Sequence, residues 1–329
     1  MTGLLGMASG YNSMHAADVL VLLGTDFPYG PFLPTHNKIV QIDIDPSHLG
    51  RRAKVQMGLC GDIKTTLEAL LPLLQAKSDK SFLNDQLLGY SKVIKDLNAY
   101  VENKGSDNKI HPEYVMAMVN ETAQANAIFT VDTGMTCVWG ARYLKASGQR
   151  KMLGSFNHGT MANAMPQAIA SFAYPGRQVI ALCGDGGISM LLGDLATIAQ
   201  YKLPVKIIVF NNRSLGMVKL EMEVAGLPDN ETDMQNPDFA LVAQAMGIKS
   251  YTVSRPDDVL PVLVEALNSP EAALLNVMTD PNALAMPPQI EWNQMTGFAQ
   301  AMYKMLLTGR TQEIIDTINS NYKHLKEIL

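Results

Sequence analysis

The chain has 329 residues, of which 47% are hydrophobic and 17% charged, and its formal net charge is −5. This length suffices for two domains with buried cores, and the lack of a basic block argues against nucleic-acid binding. Cys60, Cys137 and Cys183 have no metal-site or disulfide spacing, no signal peptide or transmembrane helix is evident, and a cytoplasmic location is expected.

The first 75 residues alternate predicted strands and helices. Buried-strand patterns cover 17–23 and 38–44, a short third segment ends near 60, and 63–74 reads as a helix with Asp62 as its N-cap. Continuous apolar runs bounded by Gly, Pro and Asp are typical of a parallel sheet covered on both faces. The alternation predicts a doubly wound α/β domain.

The rest of the chain predicts a second domain of the same class. Residues 76–110 are polar with weak helical periodicity and indicate a helical connector, after which Pro112 suits the first turn of a helix. Within the second domain, at 111–290, four strands end in Gly or polar residues: 127–131, 178–183, 205–210 and 272–278. Ligands of open α/β sheets bind at such carboxyl ends.

Two short motifs at these strand ends carry the chemistry. Gly184-Asp185-Gly186-Gly187 follows one apolar run, and Asn212 lies 27 residues after Asp185, at the end of the next strand. Glycines let backbone N–H groups approach a phosphate, and Mg²⁺ prefers oxygen ligands together with phosphate oxygens. The pair predicts a magnesium–diphosphate site, with a simple tight turn as the alternative for the glycine motif alone.

Longer stretches extend this pattern into a family resemblance. They are Gly-Ser-Phe-Asn-His-Gly-Thr-Met-Ala-Asn-Ala-Met-Pro-Gln-Ala at 154–168, Leu-Pro-Val-Lys-Ile-Ile-Val-Phe-Asn-Asn at 203–212 and Leu-Gly-Thr-Asp-Phe-Pro-Tyr at 23–29. With the two motifs, they resemble the thiamine-diphosphate enzymes, and among them the pyruvate oxidases and quinone-dependent pyruvate dehydrogenases. The resemblance covers nearly the whole chain, from Gly3 to the tail.

The resemblance implies a role for each matching position of the second domain. Asp185, Asn212 and the Ser214 carbonyl would bind Mg²⁺, Met161 would wedge the bent cofactor, and the Gly159 carbonyl would accept a hydrogen bond from the aminopyrimidine. Glu221 matches an active-site carboxylate of the oxidases, with a solvated loop acid as the alternative. The other implied cofactor contacts are Asp132, Thr133, Gly134, His158, Gly184, Gly186, Gly187, Leu215, Gly216 and Met217. Met217 stands where related oxidases often carry Phe.

The first domain resembles part of the family's flavin-binding domain, over residues 1–75. Gly3, Leu4, Thr25, Asp26 and Phe27 would run along FAD. Asp43, at the end of its strand, would bind a ribose or adenine edge, with a turn-forming residue as the alternative. No GxGxxG motif occurs, so the flavin prediction depends on the resemblance alone.

The resemblance implies oxidative decarboxylation of pyruvate to acetate, with electrons passing through FAD to a quinone. Two rivals are an oxygen- and phosphate-dependent pyruvate oxidase that makes acetyl phosphate and an acetolactate synthase, in which a second keto acid is joined. A non-catalytic cofactor-binding protein is the alternative from another class. Family members pair subunits around the cofactor, which makes a homo-oligomer the expected state.

Two further expectations concern the ends of the chain. The family's pyrimidine-binding domain, with its cofactor-activating glutamate, has no counterpart here, so the isolated chain is expected to be a fragment that is inactive or nearly so. The tail at 291–329 has apolar residues at helical spacing and predicts an amphipathic helix. This helix would lie at a membrane surface or pack against the enzyme's own body.

Overall fold

The computed structural model describes residues 3, 5–102, 109–284 and 292–328. These residues divide into two compact units, the first ending at Lys95 and the second beginning at Asp96. The division falls within one helix, which occupies much of the predicted connector. Both units contain a parallel sheet, which confirms the predicted α/β class.

The first unit is a three-stranded parallel sheet of order β1-β2-β3 with accompanying helices. Its elements are α1 (Ala8–Ala16), β1 (Val19–Leu23), β2 (Lys38–Asp43), β3 (Met57–Cys60), α2 (Ile63–Leu70) and α3 (Ser81–Glu102), of which α3 continues past the division. The Asp62 carboxylate accepts a hydrogen bond from the Thr65 N–H at 2.9 Å, as expected of the N-cap of α2. Pro72 then ends the regular helix earlier than predicted, because proline removes a backbone donor.

Little apolar surface of the first unit is buried. Glycine and proline aside, the buried hydrophobic residues in the described part of this unit are Leu33, Ile39 and Ile42. Val19 and Val21 of β1 are 48% and 47% exposed. Strands of parallel sheets are usually covered on both faces, so this sheet is less covered than its class normally is.

The second unit contains a six-stranded sheet and its helices. In chain order, its further elements are α4 (Pro112–Thr122), β4 (Ile128–Val131), α5 (Met135–Tyr143), β5 (Lys151–Gly154), α6 (Ala164–Ile169), β6 (Val179–Gly184), α7 (Asp185–Met190), α8 (Asp194–Gln200), β7 (Lys206–Asn211), α9 (Gly216–Val224), α10 (Phe239–Ala245), β8 (Lys249–Val253), α11 (Pro256–Asn268), β9 (Ala273–Met278), α12 (Trp292–Leu307) and α13 (Thr311–Ile328). The strand order is β5-β4-β6-β7-β9-β8, and each neighbouring pair is parallel.

The core lies against the central strands. Alternate residues of β6 and β7, including Ala181 and Ile207, join side chains of α6, α8 and α10 in one buried cluster. On α5, Trp139 stacks on Phe210 of β7, with ring centroids 5.8 Å apart. The four predicted strands of this domain are the inner strands β4, β6, β7 and β9, and the first three of them precede loops of the site described below.

The tail forms two helices, α12 and α13, where one amphipathic helix was expected. The left-handed backbone of Gly309, at φ +81°, lies between them. Of the described residues, none belongs to a helix with the length and hydropathy that a membrane span requires.

Candidate cofactor-binding site

The candidate site lies at the carboxyl ends of β4, β6 and β7. Within the sheet, β5 is the neighbour of β4 on one side and β6 is its neighbour on the other. The strand order therefore reverses between β4 and β6. Open α/β sheets bind ligands at such a reversal, where loops diverge and leave a crevice. Asp132 follows β4, Asp185 follows β6 and Asn212 follows β7.

A cavity of about 280 Å³ opens at this position. It is lined by nearly all the residues that the sequence assigns to the thiamine-diphosphate site: Asp132, Thr133, Gly134, Gly159, Met161, Gly184, Asp185, Gly186, Gly187, Asn212, Ser214, Leu215, Gly216, Met217 and Glu221. These residues come from five separate stretches of sequence. The fold therefore brings the motifs to one place.

His158 is the exception among the predicted residues of this domain. Its neighbour Gly159 lines the cavity, with a left-handed backbone at φ +63°. His158 itself is exposed and is not among the lining residues. The structure thus gives no contact between the imidazole and the cavity.

Both oxygens of the Asp185 carboxylate accept hydrogen bonds. Oδ1 accepts from the Gly186 N–H at 2.9 Å, and Oδ2 accepts from the Asn236 amide at 2.8 Å. Burial raises the pKa of Asp185, and these donors act in the opposite direction. A nearby divalent cation would also favour the charged carboxylate, and each oxygen keeps a lone pair for it.

The loop after β7 is ordered by its own polar groups. The Asn212 Oδ1 accepts a hydrogen bond from the Ser214 N–H at 3.0 Å. Ser214 is buried, and its hydroxyl oxygen has no hydrogen-bond partner among the described residues. An orphaned buried hydroxyl at the cavity wall suits a polar ligand.

Two glycines that line the cavity have no room for a side chain. A Cβ on Gly186 would lie 2.8 Å from the Leu215 side chain and 3.0 Å from that of Met161. A Cβ on Gly187 would collide with the Asp132 carboxylate. These positions therefore require glycine for close packing rather than for an unusual φ.

Asp132 is a second buried acid at the same floor. Its Oδ1 accepts a hydrogen bond from the Ala164 N–H at 2.8 Å, while Oδ2 has no partner among the described residues. Burial raises the pKa of Asp132 to about 6, although backbone N–H groups oppose this shift. Its free oxygen suits a hydrogen-bond donor on a ligand.

These features fit the cofactor that the motifs indicate. The donor set of Asp185, Asn212 and the Ser214 carbonyl is all oxygen, as Mg²⁺ requires. The helices α5 and α9 begin at the cavity, at Met135 and Gly216, and helix N-termini favour phosphate. Gly186 and Gly187 line the cavity without side chains, so a diphosphate there would meet their backbone.

Several lining residues were not predicted. Met135, Thr136, Trp139, Phe210 and Val218 also face the cavity. Phe210 directly precedes the predicted Asn211-Asn212 pair. Of these five residues, it is the one whose place at the cavity could have been predicted from its position in the sequence. Trp139 depends on the direction of α5, which no motif specifies.

In the first unit, the predicted flavin residues already have partners within the chain. The Asp26 carboxylate accepts hydrogen bonds from Arg51 at 2.8 Å and Arg52 at 3.0 Å, and these arginines lower the pKa of Asp26. The Asp43 Oδ1 accepts from the Asp45 N–H at 2.9 Å, which is the turn-forming alternative.

Two of the other predicted flavin residues are neighbours in the structure. Gly3 has φ +80°, and a Cβ there would lie 2.8 Å from the Phe27 ring, so these two predicted residues are neighbours. Thr25 is half-buried at the end of β1. Leu4 lies outside the described residues. The flavin role of this set stays a prediction.

The last helix packs against its own domain through polar groups. The Ser320 hydroxyl donates to Asp280 at 2.6 Å, and the Asn321 amide donates to the Asn282 carbonyl at 2.6 Å. Ile315 and Ile318 of the same helix remain 44% and 42% exposed. Packing on the body thus occurs, and a membrane contact of the exposed apolar side chains stays a prediction.

Comparison with known proteins agrees with this site. Residues 132–277 match the C-terminal TPP-binding domain of thiamine pyrophosphate enzymes, and residues 1–70 match their central domain. YdaP of Bacillus subtilis, whose name describes it as thiamine pyrophosphate-containing, is 35% identical over 317 residues, which are 95% of this chain and 54% of YdaP.

Other relatives carry the name of a specific enzyme. The acetolactate synthase large subunit of Pyropia yezoensis is 31% identical, over 91% of this chain and 52% of its own. Acetolactate synthase 1 of Zea mays is 30% identical, over 87% and 47%. The chain spans about half the length of these curated relatives. It carries the central domain and the C-terminal TPP-binding domain of the thiamine pyrophosphate enzyme family.

Proposed function

We propose that the chain is the diphosphate- and metal-binding part of an enzyme that decarboxylates pyruvate and joins the remaining two-carbon unit to a second 2-keto acid. The observation that carries this proposal is the cavity in which Asp185, Asn212 and Ser214 meet at the reversal of strand order. Thiamine diphosphate, when bound, supplies a ring that accepts the electron pair released as carbon dioxide leaves.

The chain's own residues have binding and orienting roles in this proposal. Asp185, Asn212 and the Ser214 carbonyl would hold Mg²⁺, and the metal together with the backbone at Gly186 and Gly187 would hold the diphosphate. Met161, half-buried beside Gly186, would wedge the bent cofactor. Glu221 is exposed at the cavity wall, where its carboxylate would be available to the substrate.

The names of the relatives support the carboligase reaction over the oxidative one. The two relatives with a named activity reported above are acetolactate synthases of 30–31% identity over most of this chain. Met217 at the cavity wall agrees with this preference, because related oxidases often carry Phe there. In this reaction a flavin in the first unit would be structural.

The oxidative decarboxylation of pyruvate to acetate is the second candidate. It is supported by the oxidase-like stretches at 154–168 and 203–212, which place Gly159, Met161 and Asn212 at the cavity. In this case FAD in the first unit would take part in electron transfer to a quinone, or to oxygen in the enzymes that make acetyl phosphate. The proposed homo-oligomer is common to both candidates.

Cofactor binding tests the part of the proposal that both candidates share. Trp139 lines the cavity, and a Trp292→Phe variant leaves it as the sole tryptophan of the chain. We expect Mg²⁺ and thiamine diphosphate together to change its fluorescence, and Asp185→Ala to abolish the change. An unchanged spectrum and no heat in calorimetry would contradict the proposal.

The product distinguishes the two candidates. The chain is supplied with pyruvate, Mg²⁺, thiamine diphosphate and FAD, alone and co-expressed with the part of YdaP that it does not match. Carboligation yields acetolactate without an electron acceptor, whereas oxidation yields acetate only when an acceptor is reduced. Proton NMR of the products reads out both, and acetate with stoichiometric acceptor reduction would favour the oxidase.

A further inference from the structure

Asn236 connects two strand ends of the candidate site through one side-chain amide. Its Nδ2 donates to the Asp185 Oδ2 at 2.8 Å and to the Asn211 Oδ1 at 2.9 Å. Asp185 follows β6 and Asn211 ends β7, so the amide spans neighbouring strands at the cavity floor. Asn236 itself lies on the loop between α9 and α10, 51 residues from Asp185.

The contact continues into the sheet. The Asn211 Nδ2 donates to the Asn276 Oδ1 of β9 at 3.0 Å, and both residues are buried, at 2% and 3% exposure. Each amide in this row therefore has a fixed orientation, because its donor and acceptor ends cannot be exchanged without losing a bond. The Asn276 contact fixes the amide of Asn211, and Asn211 in turn fixes the amide of Asn236 in its orientation toward Asp185.

The backbone around Asn236 is paired with the metal loop. The Leu215 N–H donates to the Thr232 carbonyl at 2.8 Å, and the Met234 N–H donates to the Arg213 carbonyl at 2.8 Å. These two bonds flank Ser214, which pairs with Asp233 in an antiparallel bridge. The 232–236 segment thus holds the loop of Asn212 and Ser214 by its backbone and Asp185 by its side chain.

We propose that Asn236 is a positioning residue that fixes the rotamer of Asp185 for metal binding, and that the 232–236 segment sets the spacing between the two halves of the metal site. This inference rests on the proposed function, in which Asp185 is a metal ligand. A ligating carboxylate needs a second partner to hold its orientation, and loss of such partners weakens metal affinity about 10–100-fold.

The test measures Mn²⁺ binding directly, without turnover. Free Mn²⁺ is followed by its electron paramagnetic resonance signal during titration of the full chain at saturating thiamine diphosphate. We expect Asn236→Ala to raise the Mn²⁺ dissociation constant at least about 10-fold. Gln235→Ala is the matched control, because Gln235 is the exposed neighbour on the same segment, and its affinity should equal that of the wild type.

The outcomes separate this inference from the function on which it rests. If the wild-type chain binds no Mn²⁺ with thiamine diphosphate, the proposed function fails. If the wild type binds and folded Asn236→Ala binds within twofold of it, the positioning role is overturned.

Folding is checked by circular dichroism and urea unfolding of the metal-free proteins. A merely structural role would lower the stability of Asn236→Ala without changing the affinity of the folded fraction. Should Asn236→Ala not fold, Asn236→Ser keeps a small polar side chain that cannot reach both acceptors, and the same loss of affinity is expected. Failure of both variants to fold would assign Asn236 a structural role and overturn the inference.

Discussion

Gly187 leaves the space that the Asp132 carboxylate occupies, so the change to Ala tests how tightly the cavity floor is packed. Because an added methyl group must displace Asp132 or the backbone, we expect Gly187→Ala to lower the free energy of unfolding by about 1–3 kcal/mol. It should also weaken thiamine-diphosphate binding. Urea unfolding and calorimetric titration measure the two effects.

Gly193→Ala is the matched control for this change. Gly193 has a helical backbone at φ −60°, and a Cβ there would meet nothing within 4 Å. Such a change usually stabilises a protein by about 0.4–1 kcal/mol, because it restricts the unfolded chain. Equal effects of the two substitutions would show that Asp132 moves aside without cost.

Asp132 also makes the free energy of unfolding of the metal-free protein depend on pH, and a single substitution should remove this contribution. Its pKa rises from 3.8 to about 6 on burial, so between these values the folded state binds more protons than the unfolded state. The contribution of Asp132 to stability therefore falls as pH rises through this window. The difference between the two pKa values corresponds to roughly 3 kcal/mol.

Asp132→Asn keeps the shape of the side chain and cannot ionise. We expect its free energy of unfolding, relative to the wild type, to increase by roughly 2 kcal/mol between about pH 4 and about pH 7. Urea unfolding of both proteins without metal or cofactor measures this difference. A difference that is constant with pH would mean that folding leaves the pKa of Asp132 unchanged.

The residues that sequence alone could place are those next to strand ends. Asp185 and Asn212 follow continuous apolar runs, and parallel strands end at one edge of a sheet, so their proximity was predictable. Asn236 was not, because its loop has no strand pattern and its position depends on backbone pairing with Arg213 and Leu215. The same holds for Trp139, which reaches Phe210 only through the packing of α5.

Among the strands of the second unit, the inner ones were predictable and the edge ones were not. β6 and β7 are buried along nearly their whole lengths, which gives an uninterrupted apolar run. β5 and β8 lie at the two edges of the sheet and are partly exposed. Their sequences, Lys-Met-Leu-Gly and Lys-Ser-Tyr-Thr-Val, mix polar and apolar residues and resemble loops. Solvent exposure at the two edges of the sheet therefore explains why the sequence pattern did not predict β5 and β8.

The C-terminal helix α13 is held to α9 by a group of half-buried and buried charges. The Lys219 ammonium donates to the Glu313 carboxylate at 2.5 Å and lies 3.6 Å from Asp229. Arg310 contacts both acids, at 2.6 Å and 2.7 Å. Burial lowers the pKa of Lys219, but Glu313 and Asp229 outweigh it and raise the value. Because α9 begins at the cofactor cavity, this contact ties the tail to the site.

Removing one partner tests this contact. Glu313→Ala leaves Lys219, whose side chain is 8% exposed, with a weaker set of partners. We expect a loss of about 1–3 kcal/mol in unfolding free energy and faster protease cleavage near Gly309. The neighbouring exposed Gln312, changed to Ala, is the control and should leave both unchanged. Unchanged protection of Gly309 in Glu313→Ala would mean that the buried Ser320 and Asn321 contacts alone hold the helix.

At the scale of the whole molecule, the two units differ in how much apolar surface they bury. The second unit has a continuous core on its six-stranded sheet, whereas three buried hydrophobic side chains occur in the described part of the first. A small core gives marginal stability, because burial must offset conformational entropy. The general α/β class of both units was predictable, but this difference depends on which faces are covered.

The two units should therefore unfold separately, and the cofactor should stabilise only one of them. We expect calorimetry of the metal-free chain to show two transitions, with the first unit melting at the lower temperature. Thiamine diphosphate with Mg²⁺, at 100 times its dissociation constant, adds about 2.7 kcal/mol to the state that binds it. The upper transition should rise in temperature and the lower one should not, because the cavity is lined by residues of the second unit.

Asp185→Ala should remove the rise and keep both transitions. A single transition that shifts as a whole would mean that the units unfold cooperatively, and a shift of the lower transition alone would place the binding site in the first unit.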